Sequence, residues 1–161
     1  MIDNVDKNIL NSLKKDCRKS YRNLGVELGL APSTISARVN KMIERGVIKG
    51  FSVITNHEKV GYDLTAIVEV VVSQGKLIEI EHEIAKFPQV CAVYDVTGTT
   101  DIIAVVKVKN RSELSYLIKT LLAMKYVERT NTRVVLTTVK EDFIKNPSNL
   151  TEKPEQIAQQ G

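Results

Sequence analysis

The sequence predicts an α+β protein with a helical first domain and a second domain in which two helices cover a sheet. Two observations carry this prediction. Apolar residues recur at helical spacing in three short segments near the N-terminus, and β-branched runs then alternate with amphipathic segments in the order β-α-β-β-α-β. We place the helical domain at 1–52, a linker at 53–62, the second domain at 63–142 and a polar tail at 143–161.

Capping residues delimit the first two helices. Asp3 or Asn4 can cap the first helix, because their side chains accept backbone N–H groups that lack a partner, and its apolar residues continue to Leu13. Ser20 caps a second helix, which ends at Gly29 because glycine adopts the left-handed conformation at little cost.

A third helix is predicted from Pro32 to about Arg45, and Gly46 ends it. Three short helices with a glycine-containing turn before the third form a helix-turn-helix arrangement.

At about 100° per residue, one arc of the third helix is apolar and is predicted to be buried, with Ile35, Val39, Met42 and Ile43. The rest is small, polar and mostly basic, as a helix in the DNA major groove requires. The candidate DNA contacts are Ser33, Thr34, Ser36, Ala37, Arg38, Asn40 and Lys41. An ordinary amphipathic surface helix is the alternative.

Positive charge is concentrated at the N-terminal end. Residues 1–55 hold ten Lys or Arg and five Asp or Glu, a net charge of +5, whereas residues 56–161 carry −1. A basic end on a nearly neutral body suggests a polyanion partner, here double-stranded DNA. Ordinary solvated lysine is the alternative explanation of the charge alone.

The residues after the third helix resemble a strand. The segment 47–54 is predicted to be either a wing beside the helices or a strand that links the domains, and 56–61 is predicted to be a turn.

The second domain is predicted to be ferredoxin-like, with two helices on one face of a four-stranded sheet. Ser112 is the predicted cap of its second helix, and Gly98–Asp101 is a tight turn between two strands. The other sheet face needs a cover, which a second subunit usually supplies. The apolar residues nominated for that open face are Val68, Val70, Ile102, Ala104 and Val106. The strands are expected at 64–72, 90–97, 102–108 and about 127–139, with a helix at 76–87 and another from Ser112 to Leu122.

Several classes of function are disfavoured. Cys17 and Cys91 are too few and too far apart for a disulfide framework, and His57 and His82 lack metal-ligand spacing, so we expect reduced thiols, no metal and no cofactor. No nucleophilic triad, phosphate-binding loop or paired-carboxylate motif is recognisable, which argues against an enzyme. The longest aliphatic run spans 102–106 and no signal pattern is seen, so we expect a cytoplasmic protein with no membrane partner.

Motifs along the chain resemble the Lrp/AsnC family of transcriptional regulators, also called leucine-responsive or feast/famine regulators. The resemblance covers about residues 2–142 in order. Its motifs are Asp6–Leu10, Gly29–Thr34, Arg45–Phe51, Lys59–Tyr62, Val96–Asp101 and Val134–Lys140.

The resemblance implies a winged DNA-binding domain followed by a ferredoxin-like domain for assembly and effector binding. Family members form dimers, often octamers of four dimers, and many bind an amino acid where dimers meet. The effector-binding positions it implies are Gly98, Thr99, Thr100 and Asp101, with Thr132 on a nearby strand. Thr99 stands where relatives often carry Asp or Asn, which favours a neutral ligand such as glutamine or a branched aliphatic amino acid. A plain hairpin turn is the alternative for this loop.

Two other functions stay open. Some related proteins resemble siroheme decarboxylases on the same fold, and His57, His82, Tyr94 and Arg133 are the residues that such chemistry would draw on. A regulator with a vestigial effector site is the third possibility. A further departure is Ala31, where relatives often have Ser or Thr, because alanine cannot cap the third helix.

Overall fold

The computed structural model describes residues 2–142, so the polar tail predicted at 143–161 lies outside the described residues. Contacts divide the chain between Val53 and Ile54 into a helical unit and a sheet unit. Residues 140–142, which we expected in the second domain, group with the helical unit. One contact there joins Lys14 Nζ to Asp142 Oδ2 over 3.4 Å.

The helical unit contains α1 (Asn4–Lys15), α2 (Tyr21–Leu28) and α3 (Pro32–Glu44). Asp3 caps α1 and Ser20 caps α2, as predicted. A core of seven buried hydrophobic residues joins the three helices, formed by Ile9, Leu13, Leu24, Ile35, Val39, Met42 and Ile48.

The prediction for Ile43 is wrong, because its side chain is 44% exposed. At about 100° per residue Val39 and Met42 lie close to the direction of Ile35, whereas Ile43 lies about 80° away at the edge of the arc. The apolar stripe of α3 is therefore narrower than the sequence suggests.

The turn between α2 and α3 depends on two glycines. Gly29 has φ +67°, as expected of the residue that ends α2. Gly25 lies inside α2, where a Cβ atom would come within 2.5 Å of the Leu30 carbonyl oxygen. The Leu30 N–H donates to the Gly25 carbonyl over 2.9 Å, so the turn packs directly on this glycine.

The strand predicted over 47–54 is not formed, since no strand is present between α3 and Leu64. Ile48 is buried against the helices and its N–H donates to the Met42 carbonyl over 3.1 Å. Residues 49–54 are exposed. A wing requires two strands that bond to each other, and no described strand pairs with this segment.

The sheet unit has the predicted β-α-β-β-α-β order. A single 3-10 turn, Glu58–Val60, precedes it. Its elements are β1 (Leu64–Val72), α4 (Leu77–Ile84), β2 (Val90–Asp95), β3 (Ile102–Val108), α5 (Arg111–Leu122) and β4 (Val127–Val134). The four strands pair antiparallel in the order β2-β3-β1-β4.

Several predicted element ends differ from the structure. The helix expected to continue to 87 ends at Ile84, and the strand expected to continue to 97 ends at Asp95. The cap of α5 is Asn110 and not Ser112, because the Asn110 side chain accepts from the Glu113 N–H over 2.9 Å. Strand β4 ends at Val134, earlier than expected, because Val134 pairs with Ala66 near the beginning of β1. One further bond follows, from the Val135 N–H to the Thr65 carbonyl, after which Leu136 is 95% exposed.

The assignment of the two sheet faces was inverted in the sequence prediction. The nominated residues Val68, Val70, Ile102, Ala104 and Val106 are fully buried in the core formed with α4 and α5. Because side chains alternate along a strand, the open face carries their neighbours. The apolar residues of that face are Ile67, Val71, Ala92, Tyr94, Ile103 and Val105.

Candidate nucleic-acid interface and ligand site

The residues proposed to contact DNA share the outer side of α3. Ser33, Thr34, Ala37, Asn40 and Lys41 are exposed, whereas Ser36 and Arg38 are partly buried. A concavity of about 560 Å³, which we call the α3 groove, runs along this side towards the beginning of α1. It is lined by Asp3, Asp6, Ser33, Thr34, Ala37, Arg38, Lys41, Met42 and Arg45.

Arg38 is held by the N-terminus of α1. Its Nη1 donates to Asp3 Oδ2 over 2.7 Å and to Asp6 Oδ1 over 2.8 Å. The Asp6 side chain is 12% exposed and that of Arg38 is 32% exposed, so part of this network is shielded from water. The contacts fix the outer side of α3 against α1, a role that the helical period of α3 does not reveal.

Hydrogen bonds in this network stabilise the charged forms of Asp3 and Arg38. The Asp6 N–H hydrogen bond, followed by the Arg38 side chain, lowers the pKa of Asp3 below its ordinary value. Hydrogen bonds to Asp3 and then to Asp6 raise the pKa of Arg38. Lys41 and Arg45 line the same groove, so its charged side chains carry one more positive than negative charge. The groove therefore suits a polyanion that also presents neutral groups able to form hydrogen bonds, as the base edges of DNA do.

The start of α3 lacks a side-chain cap, as the alanine at position 31 predicts. The Thr34 N–H and the Ile35 N–H make the first helical bonds, to the Ala31 carbonyl, over 3.0 and 3.1 Å. Ser33 and Thr34 are exposed at this helix N-terminus, the end of a helix that attracts anions.

A second polar network joins α1 to α2. Lys19 Nζ donates to Glu27 Oε2 over 2.6 Å and to the Ser12 hydroxyl over 2.9 Å, and Ser12 donates to Glu27. The pKa of Glu27 is lowered, chiefly by the hydrogen bond from Lys19. This network accounts for the burial of the Ser12 side chain and gives it a structural role.

The predicted effector turn links β2 to β3 and is bound to the end of β1. The Asp101 carboxylate accepts from the Val72 N–H over 2.8 Å, and the Thr100 hydroxyl donates to the Val70 carbonyl over 2.9 Å. Gly98 has φ +129°, a conformation that other residues rarely adopt. Asp101 and Thr100 therefore shape the turn, while Gly98 and Thr99 are exposed.

Arg129 is a residue of this region that the sequence reasoning missed. Its Nη2 donates to the Thr99 carbonyl over 3.2 Å, so a cation lies beside the turn. The pairing of Val71 with Arg129 places it there, and only a strand register could have revealed it. Thr132 pairs with Val68, three positions further along, and lies partly buried on the face covered by the helices, so it is set apart from the turn.

A polar cluster lies on the open face of the sheet. Glu69 accepts from Arg133 Nε and from the Asn131 side-chain amide, each over 2.9 Å. The pKa of Glu69 is lowered by the bond from Arg133 and then by that from Asn131. Register places Tyr94 on this face too.

Of the four residues that a tetrapyrrole site would need, Tyr94 and Arg133 share the open face of the sheet, but the two histidines do not join them. His82 is exposed on α4, on the other side of the sheet from Arg133, and His57 precedes the 3-10 turn. Within residues 2–142 no group of three metal-ligating side chains occurs, and Cys17 and Cys91 are free and exposed. No helix in this part of the chain has the length and apolar character to cross a bilayer.

Comparisons with known proteins agree with both units. Residues 2–49 match the family model for winged helix-turn-helix DNA-binding, and residues 65–144 match the Lrp/AsnC ligand binding domain.

Curated relatives match over nearly the whole chain. An HTH-type transcriptional regulator of Pyrococcus abyssi is 48% identical over 147 residues, which cover 91% of this chain and 100% of the relative. The HTH-type transcriptional regulator FL11 of Pyrococcus furiosus is 35% identical, with 88% of this chain and 93% of the relative covered. These relatives are named as regulators, which agrees with the expectation that the chain is not an enzyme.

A solved structure shows the same fold. Escherichia coli AsnC superposes with a TM-score of 0.82 at 26% identity, covering 89% of this chain and 98% of that chain. With the helix-turn-helix unit, the ferredoxin-like sheet and these matches together, the chain belongs to the Lrp/AsnC family of DNA-binding transcriptional regulators.

Proposed function

We propose that this regulator binds a small neutral amino acid at the β2–β3 turn and that binding changes its assembly or its affinity for DNA. The observation that carries the proposal is the presence of opposite charges at this turn, where Asp101 lies on one side and Arg129 reaches the Thr99 carbonyl on the other. A free amino acid carries an ammonium and a carboxylate, which these two groups complement. The family model that matches this unit is described as a ligand binding domain.

The geometry supports a separate role for Asp101, Gly98 and Thr99 in the proposed site. Asp101 Oδ2 is engaged with Val72, and a carboxylate has further acceptor positions for an ammonium group. Gly98 exposes backbone, and Thr99 offers an exposed hydroxyl without adding charge. The absence of an acid at position 99 favours glutamine or a branched aliphatic ligand over lysine or arginine. A relative from Neisseria meningitidis, at 23% identity and TM-score 0.81, has been solved as a complex with L-Met.

A calorimetric titration with each of the twenty amino acids tests the proposal. Asp101→Asn keeps an oxygen that can accept from Val72 and removes the charge, so it is a gentler change than Asp101→Ala. A charge-assisted bond of about 1.5–3 kcal/mol predicts that the ligand binds Asp101→Asn about 10- to 150-fold more weakly. Asp95→Asn, on an exposed residue at the end of β2, is the control and should bind as the wild type does.

Three outcomes decide between the candidates. If Asp101→Asn binds as tightly as the wild type, Asp101 does not contact the ligand. If the wild type binds no amino acid, the effector site is vestigial and the proposal fails. If binding occurs but neither sedimentation nor DNA affinity changes, the ligand is not an effector, because an effector must favour one state over another.

We further propose a dimer as the minimal unit, which assembles into an octamer of four dimers. The support is the open sheet face, whose apolar residues would otherwise stay in contact with water. Val105→Asp, at the middle of this face, should dissociate the dimer in sedimentation at micromolar concentration. Ile78→Asp is the matched control, because Ile78 is equally apolar and 70% exposed on α4. Dissociation by Ile78→Asp alone would place the interface on the helices.

A further inference from the structure

Every carboxylate oxygen of Asp3 and Asp6 has a defined partner. Asp3 Oδ1 accepts from the Asp6 N–H over 2.8 Å, and Asp6 Oδ2 accepts from the Asp3 N–H over 3.2 Å, which forms a reciprocal cap on α1. The two remaining oxygens both accept from Arg38 Nη1. The cap of α1 and the clamp on Arg38 are therefore one structure, and the beginning of α1 sets the direction of the guanidinium.

The clamp leaves the other edge of the guanidinium available. Both hydrogens of Nη1 are used, whereas Nε and Nη2 of Arg38 have no protein partner within residues 2–142. The side chain lines the α3 groove beside Thr34, Ala37 and Lys41. The Nε and Nη2 hydrogens form a parallel pair that matches the adjacent O6 and N7 acceptors of guanine in the major groove.

The surrounding charges favour a base over a phosphate at this position. Two carboxylates touch Arg38, so a phosphate placed against it would meet like charge, whereas a neutral guanine edge would not. Lys41 and Arg45 line the same groove and form no ion pair within residues 2–142, so they are available to phosphates. Holding Arg38 in one conformation also removes most of the side-chain entropy that binding would otherwise cost.

We propose that Arg38 reads a guanine in the DNA that this protein binds, and that Asp3 and Asp6 are positioning residues that aim its free edge. The role goes beyond general DNA affinity, because it assigns base specificity to one residue and the control of that specificity to the start of α1.

Selection of binding sites from a pool of random DNA duplexes tests the proposal with the full chain. The wild type should enrich a guanine at a defined position, and Arg38→Gln should lower the preference for guanine there by about 5- to 150-fold. Arg45→Gln is the matched control in the same groove. It should weaken binding to all sequences and reduce the salt dependence, while the guanine preference stays the same.

Asp6→Asn separates positioning from a merely structural role. The amide keeps the shape and one oxygen acceptor but weakens the hold on Arg38, so the guanine preference should fall. Affinity for DNA without the selected site should not fall, because a negative charge has been removed. A structural role alone would weaken binding to every sequence equally, and thermal melting followed by circular dichroism checks that each variant is folded.

Specific results would overturn the proposal. A wild-type motif without an enriched guanine contradicts it, as does an unchanged guanine preference in folded Arg38→Gln. If Arg38→Gln does not fold, Asp6→Asn and Asp3→Asn decide, and an unchanged guanine preference in both would show that the clamp serves only to join α1 to α3.

Discussion

Among the described residues, the helical unit buries seven hydrophobic side chains in its core, whereas the sheet unit buries twelve. The helices of the first unit are joined additionally by polar clamps, Arg38 with Asp3 and Asp6, and Lys19 with Ser12 and Glu27. In the sheet unit, strand pairing and helix packing form the core, and the Glu69 cluster lies on the open face. The stability of the small helical unit thus depends more strongly on each contact than that of the sheet unit, whose core is larger.

The largest effect should come from removing core volume. Leu24→Ala and Ile84→Ala each truncate a fully buried residue and should cost about 2–5 kcal/mol of unfolding free energy. In the helical unit that loss is expected to abolish DNA binding, while the sheet unit keeps its own transition in urea followed by circular dichroism. If Leu24→Ala shifts both unfolding transitions equally, the two units unfold as one, which would contradict their separate stabilities.

Gly25→Ala should be the next most damaging change. Alanine favours a helix by up to about 1 kcal/mol, but its Cβ would lie 2.5 Å from the Leu30 carbonyl oxygen, and such overpacking costs about 1–3 kcal/mol. Chemical denaturation should therefore show net destabilisation of the helical unit. Gly50→Ala is the control, because a Cβ at position 50 would meet no atom within 4 Å, and its unfolding free energy should change by less than about 0.5 kcal/mol.

The cap of α5 offers a smaller test in the sheet unit. Asn110→Ala removes the acceptor for the Glu113 N–H and should cost about 0.5–2 kcal/mol. Ser112→Ala should stay within about 0.5 kcal/mol of the wild type, because Ser112 lies inside the helix and is exposed. If Ser112→Ala lost more stability than Asn110→Ala in thermal denaturation, Ser112 would be the cap of α5, as expected from the sequence.

Acid should destabilise both units modestly. The pKa values of Asp3, Asp16 and Glu27 in the helical unit, and of Glu69 and Glu113 in the sheet unit, are all lowered in the folded state. A lowered pKa contributes stability above the unfolded value, which is 3.8 for Asp and 4.5 for Glu, and loses it as the pH falls through the folded value. Melting temperatures should therefore be independent of these groups above about pH 6 and decline below about pH 4.5.

A variant in each unit identifies the groups responsible. Glu27→Gln should reduce the acid sensitivity of the helical transition, and Glu69→Gln that of the sheet transition, in melts recorded from about pH 7 to about pH 3. Because these carboxylates are exposed, added salt should weaken both effects. A melting temperature that rises on acidification would contradict the direction of the shifts.

Local sequence patterns predicted most of the elements, because caps and periodicity act over a few residues. Ser20, Gly29 and Pro32 delimit α2 and α3 as expected, and the β-branched run from Leu64 forms β1 at the predicted bounds. The family resemblance and the ordered motifs are confirmed by the matches to both units. The effector turn and the outer side of α3 stay predictions as binding sites, although the structure places their residues.

Two of the wrong predictions, those for the sheet faces and for the segment 47–54, have a common cause, because each depends on a partner distant in the chain. Alternation along a strand shows which residues share a face but not which face the helices cover, so the nominated face of the sheet was the wrong one. The segment 47–54 has strand-forming residues, yet the described chain offers no strand to pair with it.

Residue types and their spacing along the chain are enough to establish the order of elements, the helix-turn-helix arrangement and the basic N-terminal end. The folded chain alone shows that Arg38 is clamped by Asp3 and Asp6, that Gly25 must lack a side chain, and that Arg129 reaches the turn after β2. These relations join residues that lie far apart in the sequence or meet only across a turn. Their distances are set by the packing of whole helices and strands, which no local pattern encodes.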